Sequence, residues 1–126
     1  MNHLLHSTLH KRLIPPQEDD KFLTELFSQL TDDKTDELTR RESVLFLKEF
    51  CTFSQTLQPQ SRESFFKTLH NLGVLPALEI TLASENRQTK SASIDILLFI
   101  VDFSPTMVRE HMLQQLNNTE DVSGQT

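Results

Sequence analysis

Glycine is almost missing from this chain: Gly73 and Gly124 are the two in 126 residues, where an average usage of about 7% would supply roughly nine. Backbone that cradles a phosphate or adopts positive φ depends on glycine, and neither a GxGxxG nor a GxxxxGK[ST] string occurs. The Asn-Gly and Asp-Gly pairs that close tight β-hairpins are absent as well. Gly-rich nucleotide loops and hairpin-rich β folds are therefore excluded, and the expectation is an all-α chain.

Apolar spacing divides the chain into about six helices. Leu23, Leu26, Phe27 and Leu30 fill every place of an i, i+3, i+4, i+7 template, predicting a helix over about 18–30 behind Pro15 and Pro16. A second runs over about 35–56 with Val44, Leu47, Phe50, Cys51 and Leu57 as its stripe; it ends where Pro59 forces the preceding residue out of the α region. A third covers about 61–72 and buries Phe65, Phe66, Leu69 and Leu72, with Gly73 at the left-handed cap position behind it. The fourth is expected to start at Pro76 and end near Ala83. In the fifth, over about 86–103, Ile94, Leu97, Leu98 and Val101 are the expected inward residues. Ser104-Pro105 reads as an N-cap followed by proline at the first helical position. It opens a sixth helix to about Leu116 with Val108, Met112, Leu113 and Leu116 inward. Residues 1–17 read as a disordered or loosely helical arm, 18–116 as the helical domain and 117–126 as a disordered polar tail.

Composition limits the partners. Twelve Lys and Arg against eighteen Asp and Glu leave a net charge of −6, which disfavours nucleic acid as a direct ligand. The longest apolar run, Ile96 to Val101, is six residues bracketed by Asp95 and Asp102, and a membrane-spanning helix needs about twenty. One cysteine, Cys51, allows no internal disulfide and no CxxC pair, which suits the cytosol or nucleus.

The residue types that carry chemistry do not assemble. His3, His6 and His10 share a helix face, but no glutamate lies between them and an HExxH motif is absent. His70 and His111 stand alone on separate helices as interhelical or surface residues. Cys51 sits on an apolar stripe between Phe50 and Phe53, the setting of a small buried hydrophobe with little thiolate. Asp32, Asp33 and Asp36 begin like a calcium loop, yet Lys34 and Glu37 stand where a ligand and a glycine belong. No catalytic, cofactor-binding or metal residues are assigned. The polar turn carrying Gln55, Gln58, Gln60 and Arg62 is the candidate partner-facing surface, through the adaptable hydrogen bonds of its side chains.

Laid together, the second and fifth helices match at an offset of 50 residues (Val44 with Ile94, Leu47 with Leu97, Phe50 with Ile100), and Leu69 and Leu72 match Leu113 and Leu116 at 44. These offsets bracket the armadillo and HEAT period of about 40–47 residues, predicting a short armadillo/HEAT-like helical array, an α-solenoid fragment.

The string Phe46-Leu47-Lys48-Glu49-Phe50-Cys51-Thr52-Phe53-Ser54-Gln55-Thr56-Leu57-Gln58-Pro59-Gln60, followed by Phe65-Phe66-Lys67-Thr68-Leu69, resembles the central region of the regulatory subunit 3 (SMEK) family of serine/threonine protein phosphatase 4. Gly73-Val74-Leu75-Pro76-Ala77-Leu78-Glu79 and Phe103-Ser104-Pro105-Thr106-Met107-Val108-Arg109-Glu110 continue the likeness in order, so that it covers about 18–114. The resemblance implies a non-catalytic scaffold that binds the phosphatase 4 catalytic subunit and a second regulatory subunit, in nucleus and cytoplasm. The alternative is a stand-alone helical adaptor without phosphatase binding. Residues before Glu18 do not match the EVH1-like domain that the family carries, so the chain is expected to be a central segment, a truncated paralogue or a partial gene product.

Overall fold

The computed structural model describes the backbone of residues 16–124 and the side chains of residues 21–118. Among the described residues the regular structure is helical throughout: α1 (Pro16–Thr31), α2 (Glu37–Ser54), α3 (Pro59–Asn71), α4 (Val74–Leu82), α5 (Arg87–Phe103) and α6 (Pro105–Gly124). The all-α array expected from the spacing is present. Residues 1–15 of the expected arm, with His3, His6 and His10, lie outside the described residues.

Local chemistry explains the joints. Asp36 and Asn86 cap α2 and α5 by accepting the backbone N–H groups of Thr39 (2.7 Å) and Thr89 (3.0 Å), donors that the first turn would otherwise leave unpaired. Arg40 donates from Nε to the Leu30 carbonyl and from Nη2 to the Asp32 carbonyl, closing the C-terminus of α1. Gly73 stands between α3 and α4 at φ 90 and ψ 40, the left-handed conformation expected of it. Ser104 caps α6, its Oγ accepting the Met107 N–H at 3.3 Å, while α5 and α6 diverge there by 113°.

Tertiary packing is that of a stacked array. α1 packs on α2 and α4, α2 on α5, and α4 on α5, so the hairpin α1–α2 lies against the hairpin α4–α5; α3 fills the side of α4 and α5, and α6 leans on α5. Two contacts fix α2 and α5 as parallel neighbours 47 residues apart. Ser84, just ahead of α5, donates to Glu37 at the start of α2, and Lys48 pairs with Asp95 at 3.0 Å. That separation is about one helical turn below the offset of 50 that aligns the two sequences. The core is a continuous cluster around Leu23, Leu30, Val44, Leu47, Phe50, Leu69, Leu78, Ile96 and Ile100. Phenylalanine rings thread it: Phe22, Phe46, Phe50 and Phe65 make successive contacts with centroids 5.3–6.2 Å apart. Phe66 then stacks on Phe103 at 4.7 Å, tying α3 to α5.

Four expectations are corrected. α6 continues to Gly124, through most of the stretch expected to be a disordered tail; no proline interrupts it after Pro105, and polarity alone does not end a helix. α1 starts at Pro16, inside the expected arm. α4 begins at Val74, which puts Pro76 in the first turn rather than at its first position; the earliest helical bond is Ala77 N–H to Gly73, so the missing proline donor leaves nothing unsatisfied.

The fourth correction concerns faces. Ile94, Leu98 and Val101 of α5 and Met112, Leu113 and Leu116 of α6 are exposed, where they were expected inward. α5 instead buries Thr89, Ala92, Ser93, Ile96 and Ile100. Small residues let α5 approach α4 closely, and the cost of burying hydroxyls is offset internally. Ser93 Oγ donates to the Thr89 carbonyl at 2.7 Å and lies 2.6 Å from Thr81 Oγ1. Spacing could not separate the two faces, because both fit the helical template.

Candidate functional site

The exposed side of the α2–α5 pair forms an open groove of about 390 Å³, lined by Lys48, Thr52 and Gln55 from α2 and by Asp95, Leu98, Phe99 and Asp102 from α5. The lining follows from helical geometry: each helix contributes residues at i, i+3 or i+4, and i+7, the positions that share one face. Lys48 and Asp95 pair at 3.0 Å across one end, each side chain 40% exposed, which makes this a solvated bridge of small energetic weight. At the other end Asp102 has no side-chain partner among the described residues. Leu98 is 59% exposed and half-buried Phe99 lies beside it, forming an apolar floor.

Of the four residues expected to face a partner, one enters this groove. Gln55 is the C-cap of α2, with Nε2 3.5 Å from Ser54 Oγ. Gln58 caps α3 without a side-chain bond, its carbonyl accepting the Arg62 N–H at 2.9 Å. Gln60 is exposed and Arg62 half-buried on α3, outside the groove lining. Asp95, Leu98, Phe99 and Asp102 were missed as a group. Their i, i+3, i+4, i+7 spacing is readable in the sequence, but there the two carboxylates only bracket an apolar run.

The remaining candidates have structural roles. Cys51 is fully buried, and burial pushes its thiol up to about 12, so it carries no thiolate at neutral pH. His111 Nε2 contacts Glu79 Oε1 at 2.7 Å and joins α6 to α4. Asp32 accepts the Lys34 N–H at 2.9 Å in a turn. Among the described residues no group of three or more His, Cys, Asp and Glu side chains converges as a metal site, and no single helix is long and apolar enough to cross a membrane.

The sequence profile of the family Phosphatase 4 regulatory subunit 3 matches residues 15–124, the whole of the described array. The chain belongs to that family. It is 54% identical over 104 residues to Serine/threonine-protein phosphatase 4 regulatory subunit 3 of Drosophila melanogaster, an alignment covering 82% of this chain and 11% of the fly protein. It is 39% identical over 105 residues to Protein PPP4R3C1 of Mus musculus, covering 83% of this chain and 13% of the mouse protein. The chain thus spans a small part of the length of these regulatory-subunit relatives. No solved structure matches it. This family member is an array of stacked helices, and the α2–α5 groove is a concavity on its described surface.

Proposed function

We propose that the chain is a non-catalytic scaffold that binds the phosphatase 4 catalytic subunit together with a second regulatory subunit and holds them in position. The carrying observation is the family match over 15–124, which coincides with the complete described helical array. A stacked array suits this work, since each helix pair contacts only its neighbours and leaves long side surfaces for other chains. The turn bearing Gln55, Gln58, Gln60 and Arg62 is proposed as a partner-facing surface, its glutamines supplying donors and acceptors at the α2–α3 joint. The complex is proposed to act in nucleus and cytoplasm, to be read by imaging the tagged chain.

Co-purification tests the proposal. The tagged chain mixed with the purified phosphatase 4 catalytic and second regulatory subunits should retain both, and Arg62→Glu with Gln58→Ala should weaken retention. No retention, under conditions where the fly relative retains them, would overturn the phosphatase reading and favour the stand-alone adaptor.

A further inference from the structure

The α2–α5 groove has the dimensions and chemistry of a short-peptide site. Seven residues separate Lys48 from Gln55 and Asp95 from Asp102, so at 1.5 Å per residue the groove is about 10 Å long. That length accepts about three extended residues at roughly 3.3 Å each. Its volume of about 390 Å³ falls in the range of small-ligand sites, about 300–1,000 Å³.

Charge within it is uneven. Lys48 and Asp95 neutralise one another at the N-terminal end. At the other end the unpartnered Asp102 carboxylate stands beside Gln55, where the parallel helices α2 and α5 both terminate. α3 and α6 begin within a few residues of the same point, so helix dipoles of both signs meet there, and it is the Asp102 carboxylate that favours a cation at this end. Between the ends, exposed Leu98 and half-buried Phe99 offer an apolar surface that no described element covers.

We infer that this groove docks an extended peptide segment that places an arginine or lysine two residues from a large apolar side chain. The spacing comes from geometry: residues i and i+2 of an extended chain point the same way about 6–7 Å apart. Along α5, Asp102 lies four residues beyond Leu98 and three beyond Phe99, about 4.5–6 Å. The apolar side chain covers Leu98 and Phe99, the cation reaches Asp102, and the Gln55 amide faces the peptide backbone together with the Thr52 hydroxyl oxygen, which donates its own proton to the Lys48 carbonyl at 3.0 Å and is left to accept. The ion pair at the other end leaves no free cation in the groove to receive an acidic peptide.

The test uses the purified full chain alone, so its outcome does not depend on phosphatase binding. Fluorescein-labelled octapeptides carrying Leu-x-Arg are titrated beside a matched set carrying Leu-x-Glu and read by anisotropy. The Leu-x-Arg set should bind and the Leu-x-Glu set should not. Asp102→Lys should weaken the first by about tenfold or more, and Leu98→Ser should weaken it too. Both positions are exposed, and circular dichroism with a urea midpoint confirms that each variant folds. No binding of the Leu-x-Arg set, equal binding of the two sets, or an affinity unchanged by Asp102→Lys in the folded variant would overturn the inference.

Discussion

Phe50 is the residue on which the core turns. It is fully buried and its ring meets Phe22, Phe46 and Phe65, joining α1, α2 and α3. Phe50→Ala should lower unfolding stability by about 3–5 kcal/mol in urea titrations, because lost transfer energy and the cavity add. One position along, Cys51 differs in chemistry and shares the burial. With its folded thiol up at about 12 against an ordinary 9.0, the folded chain binds the extra proton between those values. The contribution is complete below pH 9.0, then falls as pH rises towards about 12. Native protein at pH 8 should therefore resist iodoacetamide, and labelling should appear only on denaturation. The sequence placed Phe50 and Cys51 inward because both lie on the single apolar stripe of α2.

At the element scale the caps govern. Asn86 Oδ1 accepts both the backbone N–H of Thr89 (3.0 Å) and its hydroxyl (3.3 Å). Asn86→Ala should destabilise by about 1–2 kcal/mol, since Thr89 is buried and its donor is then stranded. Asp36 works through charge: bonds from Thr39, the backbone N–H foremost, hold its carboxyl below the ordinary 3.8. Its stabilisation is thus present above pH 3.8 and is lost as pH falls through the lowered folded value. Asp36→Asn should flatten that acid limb in pH-dependent melting curves. Gly73→Ala should cost about 1–2 kcal/mol through positive φ alone, because an added Cβ would meet nothing within 4 Å. The Gly73 joint is legible in the sequence; Asp36 and Asn86 act through bonds just as local, within three residues, yet their capping appears only in the structure.

For the whole molecule, stability is graded along the stack. α2 and α5 share the central interface, whereas α6 touches α5 and holds Met112, Leu113 and Leu116 in solvent, Met112 at 60% exposure. Native-state hydrogen exchange should find the slowest amides in α2 and α5 and the fastest helical amides in α6 beyond Glu110. Equal protection in α6 and α2 would contradict this gradient. The offset of 50 pairs the second and fifth helices as repeats, and in the structure those two helices pack on each other. The offset could not tell which face of α5 would be covered, because that depends on how α2, α4 and α6 pack around it.

The sequence by itself determined the helices, the Gly73 and Ser104 joints and the recurrence of the second helix in the fifth, since each rests on spacing, proline and glycine placement or repetition of the pattern within the chain. Only the tertiary structure decided that α5 buries Ser93 and Thr89 in preference to Ile94 and Leu98, because close helix approach and a mutual hydrogen bond outweigh side-chain hydrophobicity there. The same packing turned Asp102 and Leu98 towards Gln55. A groove is a relation between two helices 47 residues apart, and neither helix contains it alone.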